Sequence, residues 1–218
     1  MPHRERPSFV LGTYETHVVT AMRAHVHAGM VAYDIGAHVG YLTLTLSHLV
    51  GQSGTVIAIE ADPRNRSMLE RNIAANRAAN VRVVPRVVSD AVGAMPFATF
   101  SMYSSVSHIV DEGTPGDAKV LEVPSTTLDE LVYGGAYPTP KFVKIDVEGA
   151  EVRVFQGAMR VLREAKPIII AEARRRTTLN ELIRLTEPHG YHAQILANNS
   201  KLAAGDVVDV IFSPADPA

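Results

Sequence analysis

Cysteine and tryptophan are both absent from this sequence of 218 residues. The lack of cysteine excludes disulfide bonds, thiolate nucleophiles and sulfur-ligated zinc, so a metal ion would need carboxylate or imidazole ligands. Aromatic residues make up only 6% of the chain, which gives little support to a surface that stacks on the bases of RNA. These absences argue against a secreted disulfide scaffold and against an RNA-binding protein.

An excess of charge of one sign is also lacking, because the formal net charge is -2 and the pI is near 6.5. Such a chain has no overall attraction to nucleic acid or to an anionic membrane, so we expect a small-molecule partner. No apolar run approaches the roughly 20 residues that cross a bilayer, and no apolar secretion segment follows Arg4 and Arg6. We therefore expect a soluble, cytoplasmic protein of one domain, residues 1–218, for which a homo-oligomer is a compatible state.

Short apolar runs rich in β-branched residues alternate with helix-length segments, which indicates parallel strands joined by crossover helices. The pattern predicts an α/β fold with a doubly wound, Rossmann-like, mostly parallel sheet. The predicted strands are 30–33, 55–59, 81–84, 142–145 and 167–171, and the predicted helices are 39–49, 64–76, 150–163 and 178–189. Two further strands, 191–196 and 207–212, are separated by a short loop and predict an antiparallel C-terminal hairpin.

Residues 91–124 differ in character from the rest of the chain and are interpreted as an insertion. The segment is polar, contains glycine and proline, and has only short β-like pieces at 97–103 and 119–123. Long loops over a strand-end crevice commonly form binding walls, so we expect acceptor specificity to lie here, on residues that include Tyr103, Ser104, Ser105, Ser107 and His108.

The first motif runs from Asp34 through Gly36 to Gly40 and follows a predicted strand directly. The two glycines permit a tight bend and a close ligand approach at the start of the next helix, where strand ends of such a sheet form a crevice. The spacing is not the G-x-G-x-x-G of dinucleotide folds, and an acid before the glycines would repel a pyrophosphate. S-adenosylmethionine has no phosphate, and its ammonium group suits Asp34. The motif therefore predicts this cofactor.

Glu60 ends the second predicted strand about 20 residues after Gly40, where an acid accepts both ribose hydroxyls of a nucleotide-like ligand. The alternative is that Asp34 and Glu60 are helix-capping or surface acids. The combination of these acids with the two glycines favours a cofactor site.

Three more side chains near this crevice have two interpretations each. His38 lies inside the glycine turn and is either a catalytic imidazole or a residue that caps the helix or lines the methionine pocket. Ser89 and Asp90 follow the third predicted strand, where adenine would lie. Asp90 either accepts a hydrogen bond from the exocyclic amine or belongs to a turn.

The second motif places Asp146 at the end of the fourth predicted strand, with Glu148 and Glu151 at the start of the following helix. The helix dipole favours a carboxylate at this position, so Glu151 is interpreted as a charge that stabilises the helix. Asp146 faces the crevice near the transferring methyl group, where a base for a hydroxyl proton or a metal ligand is needed.

With these motifs the chain resembles the FkbM-type methyltransferases over about residues 12–172. The resemblance rests on Asp34-Ile35-Gly36-Ala37 through Gly40, on Glu60-Ala61-Asp62-Pro63 with Asn72 and Asn76, on Thr127-Leu128-Asp129, and on the run from Lys144 to Glu151 followed by Gly157. The family implies a class I methyltransferase fold and methyl transfer from S-adenosylmethionine to a hydroxyl of a sugar, a polyketide or another secondary metabolite. His38 departs from the asparagine that the family often has. The resemblance also implies that Gly12, Tyr14 and Glu15 fold over the cofactor as part of an N-terminal lid, residues 1–29.

An acceptor hydroxyl must lose its proton, either to a side-chain base or through a divalent cation that lowers its pKa. Asp146 and Glu172 end neighbouring strands and would suit Mg²⁺. Without a metal, Asp146, Glu148 or His108 is the base. The arginines 174–176 either bind an anionic or hydroxyl-rich substrate or form a solvated charge run.

Other functions remain open at this point. The enzyme could methylate nitrogen, carbon or RNA, or the chain could bind S-adenosylmethionine without catalysis. A third alternative is a nicotinamide-dependent oxidoreductase.

Overall fold

The computed structural model describes residues 15–99, 107–110, 119–196 and 207–215. Its main feature is a sheet of seven strands in the order β10-β11-β9-β8-β1-β2-β3. The strands of this sheet are β1 Val31–Ile35, β2 Thr55–Ile59, β3 Val81–Val84, β8 Phe142–Ile145, β9 Ile168–Ala173, β10 Tyr191–Ile195 and β11 Val208–Pro214. Strands β9, β8, β1, β2 and β3 run parallel to one another. The predicted doubly wound α/β fold is confirmed.

Helices cover both faces of this sheet, which is why its central strands are apolar on both sides. The helices are α1 Thr16–His25, α2 Tyr41–Val50, α3 Pro63–Ala75, α4 Leu128–Tyr133, α5 Glu151–Gln156 and α6 Arg176–Thr186. Successive side chains of β1 point to opposite faces of the sheet and pack against different helices. Ala32 packs in one cluster with Met22 of α1 and Leu46 of α2, whereas Tyr33 packs in another with Phe155 of α5.

The C-terminal strands close the sheet as an antiparallel hairpin, as predicted. Strand β11 pairs antiparallel with both β10 and β9, and it extends the hydrogen bonding of β9 to Ala173, two residues beyond the predicted end. In this register Asp209 lies directly opposite Glu172. Glu172 is therefore held within a paired strand.

The predicted helix over 150–163 is wrong, because the structure divides it at Gly157. Helix α5 ends at Gln156, and a π-helical turn, Val161–Ala165, follows. A β-carbon on Gly157 would overlap the carbonyl oxygen of Ser89, so the chain turns at the one residue that permits this close approach.

The insertion and the preceding residues 87–88 form a second sheet. The β-like pieces predicted at 97–103 and 119–123 overlap two of its strands, but their pairing into a sheet was not predicted. Its four strands, in the order β4-β7-β5-β6, are β4 Val87–Val88, β5 Gly93–Thr99, β6 His108–Ile109 and β7 Lys119–Thr126. Phe97, Ile109 and Val123 pack from this sheet onto Ala61 and Ala150. The insertion is thus attached to the strand ends of the main sheet by its own small core.

Several predictions concern residues outside the described ranges, namely Gly12, Tyr14, Tyr103, Ser104 and Ser105. Within the described part of the chain, no helix is both long enough and apolar enough to cross a membrane.

Candidate active site

A cavity of about 310 Å³ lies at the carboxyl ends of β1, β2, β8 and β9. Parallel strands of an open sheet end at the same edge, so side chains far apart in the sequence meet there. The structure brings six predicted acids to the wall of this one cavity, namely Glu15, Asp34, Glu60, Asp146, Glu148 and Glu172. Gly36 and His38 line it as well.

The glycine turn between β1 and α2 has a backbone that residues with a side chain adopt only at a cost in free energy. Gly36 and Gly40 have φ angles of 83° and 93°, in the left-handed region. Gly36 passes so close to Asp146 that a β-carbon would overlap its carbonyl oxygen, and Gly40 lies against the side chain of Leu69. Asn72 of α3 fixes the turn from behind by donating to the carbonyl of Val39 over 2.7 Å. Gly40 therefore shapes the turn, although it does not itself line the cavity.

Asp34 is fully buried beside a buried lysine. Its Oδ2 accepts a hydrogen bond of 2.5 Å from Thr43, whereas its Oδ1 has no hydrogen-bond partner. The Nζ of Lys144, from the neighbouring position on β8, lies 3.9 Å from that Oδ1 and 3.1 Å from Oδ2 of Asp146. Burial raises the pKa of Asp34. The same burial would lower the pKa of Lys144, but the carboxylates of Asp146 and Asp34 outweigh it and hold that pKa above its usual value.

Glu60 is held by two backbone donors at the end of β2. The N–H of His38 donates to its Oε2 over 2.7 Å, and the N–H of Asp62 donates to its Oε1 over 2.8 Å. Burial raises the pKa of Glu60 to about 7. Burial, followed by the positive charge of Lys144, lowers the pKa of His38. The carboxyl is thus fixed in orientation by the backbone.

Glu148, Arg174 and Glu172 form a three-residue cluster on the β8 and β9 side of the cavity. The guanidinium of Arg174 pairs with Oε2 of Glu148 and, over 2.9 Å, with Oε1 of Glu172. Burial, together with the charge of Asp146, raises the pKa of Glu148 to about 7 and that of Glu172 to about 8. Arg174 was predicted as one of three rim arginines. Arg175 and Arg176 are exposed, so the three do not act as a single group.

Another part of the cavity wall is apolar. Val87 and Val88 from β4, with Phe97 and Ile109 from the second sheet, line it. The local sequence does not indicate these residues, because their strands are short and their partners lie elsewhere in the chain. The sequence did predict that the insertion supplies a wall of the site.

Ser89, Asp90 and His108 do not line the cavity. The hydroxyl of Ser89 donates to Asp90 over 2.7 Å, and Ser89 is buried while Asp90 is exposed. His108 lies on β6 between two cavity-lining residues, Ser107 and Ile109. Ser89 and Asp90 lie in a bend after β4.

Lys144 and Thr43 contact the site acids but were not predicted as site residues. A lysine within the buried run Phe142–Ile145 was the available signal, because such a residue requires a charged partner. Its partner Asp34 is distant in sequence, so the pairing was not visible before the strands were aligned.

The carboxylates predicted to bind Mg²⁺ do not fit that ion. Asp146 is paired with Lys144 and Glu172 with Arg174, so cations already occupy both. Among the described residues no group of three or more histidine, aspartate or glutamate side chains is arranged to hold a metal.

A sheet of this topology with an acid-lined cavity at its strand ends is the class I methyltransferase fold. A solved FkbM methyltransferase from Methylobacillus flagellatus KT shares it, with a TM-score of 0.58 and 20% identity over 84% of this chain and 43% of that one. Residues 34–197 match the family described as Methyltransferase FkbM domain. The chain belongs to the FkbM methyltransferase family.

Two curated proteins are also similar to this chain. A protein-L-isoaspartate O-methyltransferase from Caenorhabditis elegans is 29% identical over 119 residues, which are 55% of this chain and 49% of the relative. The hexuronic acid methyltransferase AglP from Haloferax volcanii is 26% identical over 157 residues, which are 72% of this chain and 61% of the relative. The alignments thus span about half to three-fifths of the length of these relatives.

Proposed function

We propose that this protein transfers a methyl group from S-adenosylmethionine to a hydroxyl oxygen of a small molecule, such as a sugar, a polyketide or another secondary metabolite. The main support for this proposal is the position of Glu60. Its buried carboxyl is fixed by two backbone N–H groups on the wall of a cavity at the strand ends. The name of one relative, an O-methyltransferase, supports an oxygen acceptor. The name of the other, a hexuronic acid methyltransferase, supports a sugar, from which the acceptor proposed for this chain differs in having no carboxylate.

The residues present fit this cofactor. A carboxylate has about four lone-pair positions, so Glu60 keeps capacity for two ribose hydroxyls after accepting two backbone bonds. The buried Oδ1 of Asp34 has no hydrogen-bond partner and would be satisfied by the ammonium group. Gly36 lines the cavity at the turn before α2, where a ligand can approach the backbone. Glu15 would complete the site from the start of α1.

The adenine is assigned to the apolar wall. Val87 and Val88 follow β3 at the place where Ser89 and Asp90 were expected to bind the base, and they line the cavity whereas Ser89 and Asp90 do not. A planar ring would gain from burial against these side chains and Phe97.

When bound, S-adenosylmethionine supplies an electrophilic methyl group whose bond to sulfur breaks with the electron pair left on sulfur. The chain must orient the acceptor oxygen, exclude water and take up the hydroxyl proton. Glu148 lines the cavity, and its pKa of about 7 suits a base that works near neutral pH. Asp146, held by Lys144, is assigned the positioning of the reacting groups through its fixed charge. No step is assigned to a metal.

The test is a methyl-transfer assay with S-adenosylmethionine and a panel of hydroxylated acceptors, read as S-adenosylhomocysteine formation. We expect acceptor-dependent product from the wild type and none from Glu148→Gln, which should still bind S-adenosylhomocysteine. Glu181→Gln, which changes an exposed ion pair with Arg184, is the matched control and should retain activity. Absence of binding to S-adenosylhomocysteine, or transfer only to nitrogen or carbon acceptors, would refute the proposal.

A further inference from the structure

The cavity has a part that cofactor binding does not use. Asp34, Glu60 and the glycine turn account for the side nearest β1 and β2, and Val87 and Val88 account for the apolar wall. The cluster of Glu148, Arg174 and Glu172 remains on the side of β8 and β9. If the protein is the methyltransferase proposed above, the acceptor must occupy this remaining part.

The cluster is rigidly built, which a specificity site requires. Glu148 has a φ of 56°, so its backbone is held in the left-handed region by the turn after β8. Glu172 is fixed within β9 by the pairing of that strand with β11. The side chains of Glu148 and Glu172 are 21% and 17% exposed, so their charges are only partly screened by water.

Carboxyl groups outnumber cationic side chains in this part of the cavity, so its net charge becomes negative as the carboxyl groups ionise. One guanidinium serves two carboxyl groups, and further acids face them, because Asp146 lies nearby and Asp209 lies opposite Glu172 across the strand pair. Two other cations line the cavity in the described part of the chain. Lys144 is paired with Asp34 and Asp146, and Arg86 lies beside Val87 on the apolar side.

We propose that Glu148, Arg174 and Glu172 bind the acceptor and select an uncharged, polyhydroxylated molecule over one that carries a carboxylate. A carboxylate would approach several acids, and the guanidinium it needs is already shared between two of them. An ammonium group would be placed beside the guanidinium of Arg174. Uncharged hydroxyl groups both donate and accept hydrogen bonds. They can therefore accept from the guanidinium and donate to the carboxylates of the cluster.

The protonation of the cluster is consistent with this selection. Because the pKa of Glu148 is raised to about 7 and that of Glu172 to about 8, the cluster holds about one proton near pH 7.5. It then offers a carboxyl donor, a carboxylate acceptor and the N–H groups of Arg174. Above pH 8 both acids ionise, and exclusion of an anion becomes stronger.

The test is calorimetric binding of three 4-nitrophenyl glycosides to the protein saturated with S-adenosylhomocysteine. The glucoside, the glucuronide and the glucuronide methyl ester differ only at one carbon of the sugar, and only the glucuronide is charged. We expect the glucoside and the ester to bind at least tenfold more tightly than the glucuronide at pH 9, where both glutamates are ionised, with a smaller ratio at pH 7. Glu172→Gln should reduce the ratio at pH 9, and Glu181→Gln should leave it unchanged.

Equal or tighter binding of the glucuronide would overturn the proposal, as would failure of both neutral glycosides to bind. Failure of the proposed methyltransferase function would be recognised separately, because S-adenosylhomocysteine itself would then not bind to the protein. An unchanged pH 9 ratio in Glu172→Gln would remove Glu172 from the assignment.

Discussion

Gly36 and Asp146 belong to different strand ends, yet their backbones approach so closely that no side chain fits between them. The N–H of Asp146 donates to the carbonyl of Ile35 over 3.0 Å, and a β-carbon on Gly36 would overlap the carbonyl oxygen of Asp146. The two functional motifs of the chain therefore share one rigid corner of the cavity.

Gly36→Ala should disrupt this corner. The left-handed conformation alone costs about 1–2 kcal/mol for alanine, and the backbone overlap adds to it. We expect a large loss of unfolding free energy in urea, or no folded protein. Gly135→Ala is the matched control, because Gly135 has a φ of 80° but nothing within 4 Å of its β-carbon position. Equal destabilisation by both substitutions would show that the close approach has no effect.

Glu60→Gln should weaken cofactor binding. The amide nitrogen that replaces one carboxylate oxygen cannot accept the backbone bond from His38 or Asp62, and the charge facing the ribose is lost. Hydrogen bonds to charged groups contribute about 1.5–3 kcal/mol, so we expect a loss of roughly tenfold to hundredfold in affinity for S-adenosylhomocysteine by calorimetry. Glu70→Gln, on the exposed side of α3, should bind like the wild type. Unchanged affinity in Glu60→Gln would contradict the ribose assignment.

The stability of the ligand-free protein should fall as the pH rises from about 5 to about 8. Burial raises the pKa of Glu60 from 4.5 to about 7 and that of Glu172 from 4.5 to about 8. The folded state therefore binds these protons more tightly than the unfolded state, and the stability gained below pH 4.5 is lost as each group ionises. Thermal unfolding of the wild type and of Glu172→Gln measures the effect. The difference between their midpoints should change between pH 6 and 9, and a constant difference would contradict the raised pKa.

Asp129→Ala should destabilise the fold without weakening cofactor binding. Asp129, although part of the motif that resembles the family, accepts hydrogen bonds from the backbone N–H groups of Arg160 and Val161 over 2.9 and 2.8 Å. Loss of such a helix-terminal acceptor costs about 0.5–2 kcal/mol. Urea unfolding should show this loss, Asp129→Asn should recover part of it, and affinity for S-adenosylhomocysteine should stay within twofold. A selective loss of affinity would assign Asp129 to the site.

The parallel strands were the most predictable part of the fold. Thr55–Ile59 and Phe142–Ile145 were predicted with their observed ends, because strands buried on both faces form continuous apolar runs. The second sheet was not predicted, since β5 has an exposed first half and contains Pro96 within the strand. Its stability depends on contacts with Ala61 and Ala150, which the local pattern does not contain.

The part of the site formed by residues at the carboxyl ends of the parallel strands was predictable from the sequence. Acids at the ends of β1, β2, β8 and β9 had to meet at one edge of a parallel sheet, and the structure places them on one cavity. The sharing of Lys144 between Asp34 and Asp146 depends on the register of β1 with β8. Pairing register is a tertiary property, so it was not accessible from local sequence.

The C-terminal hairpin fixes the surroundings of Glu172, an acid on the cavity wall. Side chains alternate along a strand, so deleting one residue of β11 would turn Asp209 away from Glu172 and release its contact with His17 of α1. Strand β11 thereby determines which side chains lie next to Glu172 on the cavity wall. Sequence changes near the C-terminus should alter acceptor preference even though β11 contributes no side chain to the cavity wall.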